Sequence, residues 1–280
     1  MELARIFQGE IICCDSVQFY QGFDIGSAKP SIEERQEIPH HLFDSVTFPN
    51  TMNAAIFGKE ARQCVDDILS RHRLPIIVGG SGLYLRAFWE QDFHQFPADP
   101  VIRNQLKQID TSTLYQQLRI KDPSRAEKIH PNDRYRLIRA LEIFALTSQP
   151  LPEKKEGSEL QSRCLTIVLD PPRKEEIDTI RKRAFQMIAD GLKVEVQGLM
   201  EKGYGTDYPP MTSIGYKQMV SGITLRQDDR QIMEAITIAT RQYAKKQRTW
   251  FKKIEADLRL DSYQNICLQT LASELSKYFA

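Results

Sequence analysis

The chain has 280 residues, of which 41% are hydrophobic and 27% are charged, a composition typical of globular proteins. This length is sufficient for one large domain or two smaller ones, and it allows a sizeable core without disulfides or metals. No apolar run is long enough to span a bilayer, and the first residues do not resemble a signal peptide. These features exclude a transmembrane protein, and the odd number of cysteines without a Cys-x-x-Cys pair favours a reducing cytoplasm.

Cysteine spacing and charge exclude further classes of protein. None of the five cysteines forms a Cys-x-x-Cys pair, and His40-His41 has no partner at metal-ligand spacing, so we expect neither a zinc site nor a disulfide framework. A net charge of +1 argues against a globally basic nucleic-acid binder. From Met211 to Arg259, however, ten Lys or Arg residues stand against five Asp or Glu. A basic face can therefore exist on a chain that is neutral overall.

The first third of the chain predicts a parallel α/β sheet. The apolar run over 10–15 predicts a buried strand that ends in a carboxylate. Helical spacing over 54–73 leads into a second buried strand over 74–78. A glycine-rich turn over 79–82 then leads into a helix that starts at Leu83. This order of strand, helix, strand, glycine turn and helix is typical of parallel sheets.

The rest of the chain is predominantly helical. Residues 98–151 are charged and contain no convincing strand, with an amphipathic helix predicted over 134–144. A polar stretch over 150–163 predicts a loop or linker. The remaining predicted elements are one strand over 164–169 and two long helices, over 174–202 with a break at Gly191 and over 229–254. We therefore expect an α/β core formed by 1–97 and 160–280, a helical insertion domain over 98–159, and a helical C-terminal part.

Asp15 follows the first predicted strand and is the best candidate for a catalytic side chain. Ligands of open α/β sheets bind at the carboxyl ends of the strands, where a carboxylate can act as a general base. The neighbouring Ser16 and Gln18 can supply hydrogen bonds. The alternative, in which Asp15 only caps the following turn, remains open.

Two glycine-containing motifs are candidates for phosphate contacts. Gly79–Gly82 precedes a predicted helix, whose first N–H groups favour anions, but no Lys-Ser or Lys-Thr follows it. Lys29 stands between Gly26 and Pro30 and could reach a phosphate. The alternatives are a tight strand-to-helix turn for the first motif and a solvated loop lysine for the second.

The segment 241–253 holds six basic residues interleaved with Tyr243, Trp250 and Phe251. On a helix, Arg241, Lys245, Arg248 and Lys252 would share one face. Such a face can follow phosphates, with the aromatic rings either stacked on bases or packed inward. The alternative is a solvated basic face on a core helix.

Together these segments resemble the tRNA dimethylallyltransferase family, also called tRNA isopentenyltransferases, over nearly the whole chain. The stretches that carry the resemblance are 15–18, 24–30, 39–44, 78–84, 130–133, 136–142, 213–218 and 240–250. The resemblance implies transfer of a dimethylallyl group from dimethylallyl diphosphate to N6 of adenosine 37, in tRNAs that read codons beginning with U. It further implies Mg²⁺, a monomer, and a P-loop-like core whose helical insertion grips the anticodon stem-loop. Base flipping would bring adenosine 37 to the site.

The resemblance also implies roles for individual residues. Asp15 would take a proton from N6, while Ser16, Val17 and Gln18 would line the adenosine pocket. Ser81 stands where the family usually has Thr beside the reacting groups, and Lys29 and Arg183 would face the diphosphate. The matching tRNA-contacting residues are Arg103, Tyr135, Arg136, Leu137, Ile138, Arg139, Thr212, Ser213, Ile214, Gly215, Tyr216, Lys217, Lys245, Lys246, Gln247, Arg248, Thr249, Trp250, Phe251 and Lys252.

Two departures from the family pattern matter. Thr179 stands where the family usually has another Arg, and residues 1–7 resemble the end of the helix that follows the family's Gly-x-Thr-x-x-Gly-Lys-Thr or -Ser loop. That loop would cradle the diphosphate. We therefore expect little transferase activity from the chain as written, and an inactive tRNA-binding remnant is the alternative function. A small-molecule kinase is a third interpretation, but it does not account for the basic aromatic segment.

Overall fold

The computed structural model describes residues 1–90, 93, 96, 98–150, 160 and 163–261. The chain divides into two compact units. The first unit comprises 1–93 and 159–280, and the second comprises 94–158. None of the helices in the described part of the chain is long and apolar enough to cross a membrane.

The first unit contains a parallel sheet centred on one buried strand. The strands are β1 (Gly9–Cys13), β2 (His40–His41) and β3 (Leu74–Val78), in the order β2-β1-β3. In β1, Ile11 aligns with His40 of β2 and with Ile76 of β3. Every residue of β1 is buried, as expected for a strand that has neighbours on both sides.

The α-helices of the first unit include those predicted, with ends shifted by up to three residues, and also two that were not predicted, at Ile32–Glu37 and Tyr216–Thr224. They are α1 (Glu2–Ile6), α2 (Ile32–Glu37), α3 (Ala54–Ser70), α4 (Gly82–Trp89), α9 (Arg173–Ala189), α10 (Leu192–Glu201), α11 (Tyr216–Thr224) and α12 (Asp229–Phe251). Asn53 caps α3 by accepting from the N–H groups of Ala55 and Ile56. The predicted break at Gly191 is confirmed, because this residue adopts φ +96° between α9 and α10.

The core of the first unit joins the sheet to helices from both ends of the chain. Fully buried members include Ile12 from β1, Phe57 from α3, Leu192 from α10, Tyr216 from α11 and Ile232 from α12. Apolar burial of this kind contributes about 1.5–3 kcal/mol for each large side chain. The packing therefore fixes α12 beside the turns that follow β1 and β3.

The second unit is helical among its described residues. It contains α5 (Pro100–Gln108), α6 (Thr111–Lys121), α7 (Pro123–Lys128) and α8 (Arg134–Thr147), which enclose a small core of their own. Asp99, Asp110, Asp122 and Asp133 each cap the helix that follows, with a side-chain oxygen that accepts from a backbone N–H. The predicted loop over 150–163 lies largely outside the described residues.

Three strands differ from the sequence expectation. The strand predicted over 164–169 is shorter, because β4 covers only Ile167–Leu169. It pairs in parallel with β5 (Leu258–Leu260), which local sequence did not reveal. His40-His41, which the sequence did not predict as a strand, is the short strand β2. Strands of two or three residues carry too little periodicity to be recognised from sequence.

Candidate active site

The turns after β1 and β3 lie against each other at the carboxyl edge of the sheet. The N–H of Cys14 donates to the carbonyl oxygen of Val78, at 2.8 Å. A side chain at Gly79 would overlap the Cys14 carbonyl oxygen, so only glycine allows this approach. The edge therefore brings Asp15 and the Gly79–Gly82 turn into one region, where parallel sheets bind ligands.

Asp15 caps its own turn and still has an unused oxygen. Its Oδ1 accepts from the N–H of Val17 at 2.8 Å, with a longer contact of 3.4 Å to that of Gln18. Its Oδ2 accepts no hydrogen bond from the described residues. Asp15 is half-buried, so a ligand can reach it. The capping role and the general-base role are therefore compatible, because they use different oxygens.

Gln18 and Arg183 meet on one backbone carbonyl. Gln18 Nε2 donates to the Ser27 oxygen at 3.0 Å and to the Ala28 oxygen at 3.1 Å, and Arg183 Nη2 donates to the same Ser27 oxygen at 3.0 Å. Arg183 is exposed to solvent, yet desolvation by the neighbouring protein atoms lowers its pKa, and the nearby Asp15 carboxylate opposes this shift. A guanidinium nevertheless remains charged in proteins, so the site holds a cation beside Asp15.

Lys29, predicted to bind diphosphate, is committed to internal contacts. Its side chain is 1% exposed, and its Nζ donates to the Tyr20 oxygen at 2.8 Å, to Asp24 at 2.7 Å and to Asp44 at 2.6 Å. An ammonium has three donors, so none is left for a phosphate. This geometry corrects the sequence expectation, because Lys29 is neither a solvated loop lysine nor placed to bind diphosphate.

Helix α12 lies over the glycine turn. Gln247 Nε2 donates to the Gly80 oxygen at 2.9 Å, and a side chain at Gly82 would overlap the ring of Trp250. Tyr243 also reaches this turn: burial raises its pKa, and its hydrogen bonds with Ser81 and Gln247 act in the opposite direction. The sequence indicates Tyr243 only as an aromatic residue among basic ones, because nothing local points to its contact with Ser81.

The residues predicted to contact tRNA fall into three groups by exposure. The exposed ones are Ser16, Tyr135, Arg136, Thr212, Lys217, Lys245, Lys246, Thr249 and Lys252. The partly buried ones are Val17, Gln18, Arg103, Arg139, Ser213, Ile214, Gln247, Arg248, Trp250 and Phe251. The buried ones are Leu137, Ile138, Gly215 and Tyr216. The buried group belongs to the cores of the two units and not to an accessible surface.

Three predicted tRNA-contacting arginines already make internal ion pairs. Arg248 on α12 lies 3.1 Å from both Asp170 and Glu176. In the second unit, Arg103 and Arg139 lie 2.8 and 2.7 Å from the buried Glu142. These arginines therefore help to hold the fold, whereas the exposed lysines of α12 are left to face solvent.

Two cavities differ in their relation to this edge. One of about 410 Å³ is lined by Arg183 together with Asp24, Arg35 and Gln186, among others. The other, of about 550 Å³, lies at the amino end of β1 and is lined by Glu10 and Arg71, among others. Only the first includes a residue of the Asp15 region.

The described residues do not form a dedicated metal site. No three His, Cys, Asp or Glu side chains among them are close enough together to hold a metal ion. Asp15 alone does not form a complete Mg²⁺ site, since Mg²⁺ in proteins is bound through carboxylates together with substrate phosphates and water.

The parallel sheet, with a carboxylate and a guanidinium at its carboxyl edge, defines an α/β protein with a candidate ligand site beside β1. The chain belongs to the IPP transferase family, whose model matches residues 18–254.

Three comparisons illustrate the relationship. The chain is 40% identical to tRNA dimethylallyltransferase 2 of Geotalea uraniireducens (strain Rf4), over 90% of this chain and 84% of that protein. The full-length tRNA isopentenylpyrophosphate transferase of Bacillus halodurans is 32% identical, with a TM-score of 0.70 over 99% of this chain and 90% of that one. A eukaryotic dimethylallyltransferase solved while acting on tRNA has a TM-score of 0.76 and 26% identity, over 98% of this chain and 73% of that one. The predicted family and fold class are confirmed.

Proposed function

We propose that the chain transfers a dimethylallyl group from dimethylallyl diphosphate to N6 of adenosine 37, in tRNAs that read codons beginning with U. The observation that carries this proposal is the half-buried Asp15, which has one oxygen unused by the described residues and lies near Arg183. The named relatives support the reaction, because they are tRNA dimethylallyltransferases. The resemblance to the family supplies the position of the adenosine and the codon class.

The chemistry needs one base and one cation. A C–N bond forms between N6 and the allylic carbon as the allylic C–O bond breaks, the diphosphate leaves with the bonding electrons, and Asp15 takes the N6 proton. Arg183 stabilises the negative charge that develops on the diphosphate. The fixed positions of both groups spare the reaction the cost of arranging them.

Recognition of tRNA uses exposed side chains in each unit. In the second unit, Tyr135 and Arg136 are exposed on α8. In the first unit, Lys217, Lys245 and Lys252 are exposed. Cationic side chains bind phosphates without reading sequence, so these residues would orient the stem-loop, and base flipping would deliver adenosine 37 to Asp15.

Mg²⁺, a monomeric state and a cytoplasmic location complete the proposal. Mg²⁺ and the monomeric state rest on the resemblance to the family. The cytoplasmic location rests on the reducing environment that the cysteine pattern favours. When bound with the diphosphate, Mg²⁺ would neutralise part of its charge.

A direct assay tests the proposal. The purified chain is incubated with dimethylallyl diphosphate, Mg²⁺ and an unmodified anticodon stem-loop, and the nucleosides are then weighed by mass spectrometry. A dimethylallyl group on adenosine 37, with no product from a matched stem-loop that carries guanosine 37, would confirm the proposal. Tight binding of the stem-loop without product would instead support the tRNA-binding remnant. Absence of both binding and product would reject both functions.

A further inference from the structure

Glu195, on the first unit's helix α10, contacts a loop that is far from it in sequence. Its carboxylate accepts from three consecutive backbone N–H groups, those of Asp24 at 3.1 Å, Ile25 at 2.7 Å and Gly26 at 3.3 Å. It also accepts from the hydroxyl of Tyr216, at 2.6 Å. Consecutive N–H groups that converge in this way form a concave anion site, and here a side chain of the same protein fills it.

Packing keeps this contact in place. Tyr216 is 0% exposed and is fixed by the core of the first unit. A side chain at Gly26 would overlap the Tyr216 ring and Leu192, so the loop can approach only as glycine. Lys29 ties the other end of the loop to Tyr20 and Asp44. The loop from Asp24 to Lys29 is therefore held at both ends.

The same loop carries the backbone carbonyl that binds two side chains of the candidate active site. The Ser27 oxygen accepts from both Gln18 and Arg183, and the adjacent Ala28 oxygen also accepts from Gln18. Ser27 follows directly after Gly26, the last residue held by Glu195. A shift of the loop would therefore move the acceptor of both side chains together.

We propose that Glu195 is a positioning residue that acts through the 24–28 loop to hold Gln18 and Arg183 at the active-site edge. Glu195 touches neither reactant and sets where the Ser27 oxygen lies. Its effect on catalysis rests on the proposed function, whereas its effect on the loop does not. The proposal explains why Tyr216, which the resemblance assigns to tRNA contact, is buried and donates to Glu195.

Hydrogen exchange tests the loop contact directly. In Glu195→Gln, the amide group places a donor among groups that are themselves donors, and the charge is lost. We expect the amide hydrogens of residues 24–26 to exchange about tenfold faster or more than in the parent chain. Glu201→Gln, an exposed glutamate at the end of the same helix, is the matched control and should leave them unchanged. Unchanged exchange in Glu195→Gln would refute the contact.

Chemical labelling tests whether Arg183 depends on that contact. Phenylglyoxal reacts with guanidinium groups, and peptide mapping reports the rate at each arginine. Both Arg181 and Arg183 are exposed, but Arg183 donates to the Ser27 oxygen. We expect Arg183 to be labelled several-fold faster in Glu195→Gln, once that hydrogen bond is weakened, while Arg181 keeps its rate. Tyr216→Phe removes one donor and keeps the ring, so it should produce a smaller change in the same direction. Equal acceleration at Arg181, or none at Arg183, would overturn the positioning role.

Turnover separates this inference from the proposed function. In the active protein, Glu195→Gln should lower kcat at least tenfold and leave the dissociation constant for the stem-loop within twofold, since the exposed lysines are unchanged. A parent chain without turnover would reject the proposed function, while exchange and labelling still decide whether Glu195 holds Arg183. An active Glu195→Gln variant with normal kcat would refute the catalytic consequence.

Discussion

Side chains of the two units are fixed by different means. At the active-site edge of the first unit, Gln18, Arg183 and Gln247 donate to backbone carbonyls of two loops. In the second unit, Arg103 and Arg139 converge on one buried carboxylate, Glu142. The position of a carbonyl acceptor is set by the backbone of its loop. A buried carboxylate instead holds the two guanidinium groups through its negative charge. The first arrangement is therefore sensitive to loop geometry and the second to neutralisation.

Glu142 lies at the centre of this cluster and pairs with both arginines. It is 0% exposed, lies 2.8 Å from Arg103 Nη2 and 2.7 Å from Arg139 Nη1, and accepts from the Asp99 N–H at 2.8 Å. Burial by itself raises the pKa of Glu142, but the hydrogen bonds from the two arginines outweigh it and the pKa is lowered. The ionised form is therefore the one that stabilises the second unit.

Neutralising this carboxylate should have the largest effect on stability. We expect Glu142→Gln to lower the free energy of unfolding by about 3 kcal/mol near neutral pH, because two guanidinium groups lose their charged acceptor. Urea denaturation measures this, with exposed Glu127→Gln on α7 as control. Because the folded pKa is depressed, the contribution is present above about pH 4 and disappears as the pH falls through the folded value. A difference that grew in acid would contradict the ion-pair account.

Two adjacent glycines allow a clash with the backbone to be compared with a clash with a flexible side chain. At Gly79 an added methyl group would meet the fixed carbonyl of Cys14, whereas at Gly80 it would meet only the flexible end of Gln247. We expect Gly79→Ala to destabilise the chain by about 1–3 kcal/mol and Gly80→Ala by about 1 kcal/mol or less. Thermal denaturation of the two variants decides this. Equal losses would show that the Cys14 approach is not the tighter constraint.

The basic face of α12 should divide into structural and binding residues. Lys245 and Lys252 are exposed, whereas Arg248 pairs with Asp170 and Glu176. We expect Lys245→Ala with Lys252→Ala to reduce the slope of log binding constant against log salt by about one to two for tRNA, without altering stability. Arg248→Ala should instead lower stability and change the slope less. The reverse pattern would assign tRNA binding to Arg248.

Local sequence was sufficient where the physical cause is local. Asp15 at a strand end, the glycine turn after β3 and the break at Gly191 each follow from a few neighbouring residues. Glu195 is 171 residues from Asp24, and Glu142 is 39 residues from Arg103, so no pattern linked them. The role of Tyr243 at Ser81 was hidden for the same reason.

Burial explains most of the remaining differences. Two of the segments that resemble tRNA-contacting stretches, 135–139 and 245–252, lie on helices α8 and α12 or at their ends, and a helix presents only one face to solvent. Tyr135 and Arg136 are exposed on α8, while Leu137 and Ile138, which directly follow, are buried. A matched segment assigns the same role to all its residues, whereas the fold exposes only some of them. The roles of the exposed residues stay predictions until binding is measured.

Turnover and binding of the Asp15→Asn variant test the central claim most directly. The amide keeps the oxygen that accepts from the Val17 N–H and removes the carboxylate that takes the N6 proton. We predict that turnover falls by about 10²–10⁴-fold. The dissociation constant for the anticodon stem-loop should stay within twofold, with exposed Asp66→Asn unchanged in both. Turnover of Asp15→Asn near that of the parent chain would show that Asp15 is not the base and that the carboxyl edge of β1 is not where the transfer occurs.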